Sequence, residues 1–95
     1  MSTYFIVNAS ITDAELLVEY GKAARPTMAG HTVKPIIVTN NAETLEGTPA
    51  GNRVVVLEFP DRAALMGWYE SPAYQAVIGK RFASTQGFAV IAEGL

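Results

Sequence analysis

The alternation of hydrophobic and polar positions along the chain predicts four short β-strands, each bounded by turn-forming residues. The predicted strands cover residues 3–10, 31–40, 53–59 and 87–94. The third strand is nearly continuous in apolar residues, which is typical of a central strand. The second contains Pro35, which cannot donate to a β-ladder, so we expect it at a sheet edge or at a bulge.

Apolar residues at helical spacing predict one helical segment after the first strand and another after the third. In the first segment, the stretch 12–15 (Thr-Asp-Ala-Glu) resembles a capping box, and Pro26 is expected to end or kink the helix. In the second, Asp61 is a suitable N-cap, and Ser71 followed by Pro72 is expected to cap a new helical turn. We therefore predict that the second helical segment, which extends to residue 84, is broken in two.

The order β-α-β-β-α-β predicts an α+β protein with a ferredoxin-like antiparallel sheet and helices on one face. Right-handed crossovers place the first and third strands in the centre of this sheet and the second and fourth at its edges. The helix-free face then needs a cover. A second copy of the chain can provide it, which would close two sheets into a dimeric α+β barrel.

Composition supports a single domain over residues 1–95 that associates with itself. A chain of 95 residues has a thin core, yet 49% of its residues are hydrophobic. The apolar surface that cannot be buried would form an exposed patch of the kind that marks an interface. A two-fold homodimer is the commonest closed assembly and is the partner that we expect.

Charge and residue usage exclude several classes of function. The net charge is −2 and only seven Lys and Arg are scattered along the chain, so we expect no nucleic-acid partner. Without cysteine there is no disulfide, thiolate catalyst or sulfur-ligated metal. The N-terminus lacks the pattern of a signal peptide, and no segment approaches the ~20 apolar residues that span a bilayer. We expect a cytoplasmic protein without membrane contact.

The alternation in the third strand singles out Glu58. If Val55 and Leu57 pack on helices, Glu58 points to the helix-free face, where burial of a carboxylate is costly without a partner. One interpretation is a salt bridge with Arg81, Arg53 or a dimer mate. The other is a general acid/base whose pKa is raised in an apolar barrel.

Other polar side chains have two interpretations each. Tyr69 and Tyr74 flank the helix break and either pack or contact a ligand at a cavity mouth. Asn8 shares the mixed side of the first strand and either orients a ligand or bonds to neighbouring backbone. His31, the single histidine, has no second ligand at metal-binding spacing, so no metal site is predicted, and it is a candidate proton shuttle. Trp68 lies on an apolar helical face and is expected in the core.

The stretch "VVVLEFPD" followed by "WYESPAYQAVIGKR" and "VIAEG" resembles the bacterial family known as domain of unknown function 1330. The matching positions are Glu58, Phe59, Pro60, Trp68, Tyr69, Ser71, Tyr74 and Arg81. The resemblance implies a dimeric α+β barrel, a two-fold homodimer and no securely known activity. The chain departs from the family pattern in the second strand, where His31 and Lys34 stand in place of a frequent arginine.

Two functional hypotheses follow. The first is a homodimer that binds a small, partly apolar molecule in the barrel cavity, with Asn8, Glu58, Tyr69, Tyr74 and Arg81 as candidate ligand contacts. The second is an oxygenase or isomerase that needs no cofactor and acts on a small aromatic or lactone-like substrate, with Glu58 and His31 as candidate catalytic residues. The second hypothesis depends on fold analogy, which is weak evidence of function.

Overall fold

The computed structural model describes all residues from Met1 to Leu95. Its strands are β1 (Thr3–Ile11), β2 (Lys34–Thr39), β3 (Arg53–Phe59) and β4 (Thr85–Glu93). Its helices are α1 (Ala14–Ala24), α2 (Arg62–Tyr69), α3 (Pro72–Gln75) and α4 (Ile78–Ser84), and a 3₁₀ turn (Arg25–Met28) follows α1. The predicted βαββαβ order is confirmed. The second helical segment contains three short helices instead of two.

The four strands form one antiparallel sheet in the order β2-β3-β1-β4. The predicted placement of β1 and β3 in the centre is therefore confirmed, as is the ferredoxin-like α+β fold. Pro35 lies on the edge strand β2, and the pairing register with β3 shifts between Pro35 and Ile37. The strand that contains Pro35 thus lies at the sheet edge and also has a bulge, the two positions predicted for this proline.

Side-chain caps begin three of the four α-helices, as predicted for α2 and α3. Asp61 accepts a hydrogen bond from the backbone N–H of Ala64 at 2.8 Å, and Ser71 accepts one from that of Tyr74 at 3.2 Å. The prediction for α1 was wrong, because its N-cap is Asp13 and not Thr12. β1 extends to Ile11, and the backbone N–H of Thr12 donates to the carbonyl of Ser84 at 2.9 Å, so the chain has not yet left the sheet at Thr12.

The core lies between the sheet and the helices. Phe5, Leu57, Phe59, Leu65 and Trp68 are buried there, each at most 4% exposed. The residues of β1 and β3 that pack on the helices all share one face of the sheet, because strand side chains alternate. The opposite face has no helix cover. None of the helices is both long and apolar enough to cross a bilayer.

Candidate functional site

A cavity of about 710 Å³ lies between the helix-side face of the sheet and α1. Thirteen of its 21 lining residues are hydrophobic. The sheet contributes Val7, Val55 and Leu57, and the helical side contributes Leu17 and Met28. Small-molecule sites typically measure ~300–1,000 Å³ and are mostly apolar with a few polar groups. The size and lining therefore suit a small, partly apolar molecule.

Arg81 is the most deeply buried charged residue of this cavity. It projects from α4, and 9% of the residue is exposed. Its Nε atom is buried without a hydrogen-bond partner. The guanidinium carbon lies 5.7 Å from the ring centroid of Phe5 and 5.0 Å from that of Phe82, so aromatic faces provide part of its surroundings. A buried donor without a partner is rare in proteins and calls for an explanation.

Arg53 enters the same cavity from the sheet. It pairs with Ala9, which is buried on the helix side, and it shares that side with Val55 because strand side chains alternate. Its Nη1 donates to Oδ1 of Asn40 at 2.7 Å. Burial lowers the pKa of Arg53, and the positive charge of Arg81 lowers that pKa further. The positive charges of the two guanidinium groups, which both line this cavity, therefore repel each other.

The charged residues of the lining all have the same sign. They are Lys22, Arg25, Arg53 and Arg81, and no Asp or Glu is among the lining residues. Lys22 and Arg25 are exposed on α1 and the turn after it, whereas Arg81 is buried. The cavity is therefore electropositive both at its surface and inside.

Two tyrosines link α1 to α3 beside the cavity. Tyr20 lines the cavity, and its hydroxyl oxygen lies 2.8 Å from that of Tyr74, which is fully buried. Burial raises the pKa of both phenols, and their mutual interaction raises that of Tyr20 further. At neutral pH both hydroxyls therefore carry their protons.

Trp68 packs beneath this pair, with its ring centroid 4.1 Å from that of Tyr74. Its indole N–H donates to Oγ1 of Thr27 at 3.1 Å, and the residue is 1% exposed. The prediction that Trp68 belongs to the core is confirmed. It also lines one side of the cavity.

The predicted grouping of Glu58 with Arg81 or Arg53 is wrong within the chain. Glu58 lies on the helix-free face, and both arginines lie on the other side of the sheet. Its Oε2 accepts a hydrogen bond from the Tyr4 hydroxyl at 3.0 Å. Hydrogen bonding from Ser2 and then Tyr4 lowers the pKa of Glu58. In the single chain the carboxylate thus lies beside hydrogen-bond donors, which is not the apolar environment that the acid/base interpretation requires.

The structure also separates the other candidates from the cavity. The side chain of Asn8 bonds to backbone three times, donating to Gly51 O at 2.9 Å and Arg53 O at 3.1 Å and accepting from Ala50 N–H at 2.8 Å. His31 and Tyr69 are half-buried and do not line the cavity. Tyr69 packs on the core, with its ring centroid 5.9 Å from that of Phe5.

Sequence reasoning missed Tyr20 and the role of Arg53. The sequence does indicate the side on which Arg53 lies. Residues 53, 55 and 57 alternate along β3, so Arg53 points to the same face as Val55 and Leu57, which were expected to face helices. Nothing local identifies Tyr20, since its partner Tyr74 is 54 positions away. No group of three or more His, Cys, Asp or Glu side chains is arranged to hold a metal ion.

The family model described as a domain of unknown function, DUF1330, matches residues 2–95. No curated protein is significantly similar to the chain in sequence. Among solved structures, a protein of unknown function from Rhodopseudomonas palustris has a TM-score of 0.81 at 17% identity, with 99% of this chain and 82% of that chain covered.

Two further structures share the fold. SnoaB, a cofactor-independent oxygenase from Streptomyces nogalater, has a TM-score of 0.71 at 10% identity over 99% of this chain and 93% of that chain. A dimeric ferredoxin-like protein of unknown function from Jannaschia sp. CCS1 has a TM-score of 0.66 at 20% identity, covering 99% of this chain and 100% of that one. At these identities the likeness concerns the fold alone.

Proposed function

The chain belongs to the DUF1330 family of domains of unknown function, and from the geometry of its cavity we propose that it binds a small, partly apolar molecule between the sheet and α1. The observation that carries this proposal is the unfilled volume of about 710 Å³. The cavity is open to solvent on one side, so a small molecule can enter it and displace water from its apolar lining.

The second part of the proposal is a homodimer closed by the helix-free faces of two sheets. Cross-strand pairing aligns Ile6 with Val56 and Val90, and Val56 with Ile37, on this face. Ile37 and Val90 are 44% and 45% exposed, so a large apolar surface lacks cover in the single chain. The Jannaschia protein, which has the same fold, is described as dimeric.

The alternative, an oxygenase or isomerase that needs no cofactor, is supported by the fold shared with SnoaB. In this chain the candidates Glu58 and His31 do not line the cavity. The Tyr20 hydroxyl lines the cavity and the Tyr74 hydroxyl lies behind it, and the raised pKa values of both phenols suit them to donate hydrogen bonds and not to act as bases. Binding is therefore the function that the geometry favours.

The test is a fluorescence titration with N-phenyl-1-naphthylamine, a neutral apolar dye that brightens in apolar sites. Gly21 lies on α1 at the cavity wall, and a side chain added there meets open space. We expect Gly21→Trp to weaken dye binding at least about tenfold by filling the cavity mouth, a change of about 1.4 kcal/mol.

Gly67→Trp is the matched control, because Gly67 is also an uncrowded helical glycine but does not line the cavity. It should bind the dye like the wild type. Equal binding by the wild type and Gly21→Trp, or no binding by any of the three proteins, would refute the proposed binding site.

A further inference from the structure

We propose that the ligand carries an oxyanion, of which a carboxylate on an apolar body is the simplest case, and that Arg81 and Arg53 bind this group. The inference rests on the proposed binding function and names the chemical class of the ligand. It concerns residues that enter one cavity from two different elements, α4 and β3.

Arg81 has no counter-ion among the residues that line the cavity. Burial of a charged group is costly unless it is paired, and breaking a buried pair is strongly destabilising. The chain has nine Asp and Glu residues, yet none lines this cavity. Arg81 lines the cavity, while its Nε is buried without a hydrogen-bond partner. An external oxyanion on the cavity side of the guanidinium is the partner that would balance its charge.

Two like charges, those of Arg81 and Arg53, line the same cavity. Arg81 lowers the pKa of Arg53 through repulsion, and an anion between the two would replace that repulsion by attraction. Guanidinium groups present planar forks of N–H donors that match a carboxylate in two-point contact. The pair thus favours an oxyanion over a halide or a neutral carbonyl.

The hydroxyl pair of Tyr20 and Tyr74 lies beside the arginines. Tyr20 and Tyr74 share one hydrogen between their oxygens, so one of the two O–H groups keeps its hydrogen for another acceptor. When Tyr74 donates to Tyr20, the free hydrogen belongs to Tyr20, which lines the cavity. A carboxylate oxygen is a suitable acceptor for it.

The other residues that line the cavity indicate that the remainder of the ligand is apolar. Residues from β1, β3 and α1 surround the arginines with hydrocarbon, represented by Val7, Val55 and Leu17. A charged headgroup in such surroundings is less screened by water than on an open surface, so its attraction to the arginines is stronger. The apolar body and the acid group would bind together.

Two dyes with one aromatic scaffold test the inference. 8-Anilinonaphthalene-1-sulfonate carries an acidic group, and N-phenyl-1-naphthylamine lacks it. We expect the wild type to bind the sulfonate at least about tenfold more tightly than the neutral dye. Arg81→Met, which keeps an apolar side chain of similar length, should remove most of this preference.

Lys80→Met is the matched control, since it removes the neighbouring cation of α4, which is exposed and does not line the cavity. It should keep the preference of the wild type. A competition arm uses 4-phenylbutyrate and 4-phenylbutyramide, and only the carboxylate should displace the sulfonate dye efficiently.

The outcomes separate the two proposals. Suppose that Gly21→Trp weakens binding of the neutral dye, but the wild type binds the sulfonate dye no more tightly than the neutral dye. The acid-group inference is then wrong and the binding function stands. A preference for the sulfonate that survives Arg81→Met, or an equal loss with Lys80→Met, also overturns the inference. If Gly21→Trp affects neither dye, both proposals fail.

Discussion

The hydroxyl oxygens of Tyr20 and Tyr74 lie 2.8 Å apart and join α1 to α3 at the edge of the cavity. Burial is the main cause that raises the pKa of each phenol. Tyr74 is fully buried and its ring packs on Trp68, whereas Tyr20 is half-buried and lines the cavity. The pair therefore links the stability of the fold to the protonation of two side chains.

Stability should decrease at alkaline pH because of this pair. In the unfolded chain both phenols ionise near pH 10, whereas the folded state holds them neutral to higher pH. The stabilisation is fully present below about pH 10 and is lost as the pH rises towards the folded-state values. Thermal unfolding between pH 8 and 11 should show a falling Tm, with a weaker fall in the double variant Tyr20→Phe/Tyr74→Phe.

At neutral pH the single variants test the hydrogen bond itself. Tyr20→Phe leaves the Tyr74 hydroxyl buried without its partner, which should cost about 1–3 kcal/mol in the free energy of unfolding. The double variant should cost less than the sum of the two single changes. Additive costs would mean that the two hydroxyls do not interact.

Arg81→Met should stabilise the ligand-free protein by about 1 kcal/mol, since it removes a buried guanidinium without a counter-ion. The contacts of Arg81 with the rings of Phe5 and Phe82 limit this gain. Urea unfolding measures the change. Lys80→Met, an exposed site on the same helix, should alter the free energy of unfolding by less than about 0.5 kcal/mol.

A clear loss of stability in Arg81→Met would indicate that the arginine serves the fold and not a ligand. A gain would mean that the chain retains a destabilising residue in its cavity. Such residues are characteristic of binding sites, where function is maintained at the expense of stability.

The fold could be predicted from the sequence because its signals are local. Alternation in β1 and β3 and the order of elements are sufficient to place both strands in the centre of the sheet. The proline in β2 and the caps Asp61 and Ser71 likewise depend on neighbours a few residues away.

The site could be predicted only in part, because it depends on distances between elements. Arg81 was predicted as a ligand contact, but on the same side of the sheet as Glu58, and the structure places the two on opposite sides. The alternation of strand residues does not indicate where a helical side chain points. Whether α1 packs tightly on β1 and β3 or leaves a cavity depends on the fit of many side chains. Tyr20 could not be found for the same reason, since its role depends on Tyr74.

We expect Asn8 to stabilise the fold and not to bind a ligand. Asn8→Ala removes the partners of Ala50 N–H and of the carbonyls of Gly51 and Arg53, which hold the end of the β2–β3 connection against β1. We expect a loss of about 1–3 kcal/mol in the free energy of unfolding.

Ser10→Ala is the matched control on the same side of β1, because Ser10 makes one exposed hydrogen bond to Gln86 O at 3.2 Å. It should change the free energy of unfolding by less than about 0.5 kcal/mol. If Asn8→Ala unfolds like Ser10→Ala, the polar side of β1 has no such structural role, and Asn8 becomes a ligand candidate again.

The proposed homodimer should depend on the centre of the helix-free face. Val56 lies on β3 opposite Ile6 and Ile37, so a lysine there would introduce charge into the middle of the apolar surface. A single chain tolerates Val56→Lys, because a half-exposed lysine keeps its ammonium in water. Two facing sheets do not, since two like charges would be buried together.

Sedimentation velocity at micromolar concentration should therefore give twice the chain mass of 10.2 kDa for the wild type and about the chain mass for Val56→Lys. Val18→Lys is the control, because Val18 is 59% exposed on α1, which packs on the opposite face of the sheet. It should sediment as the wild type does. A wild type that sediments as a single chain would contradict the dimer, and dissociation by both variants would place the interface elsewhere.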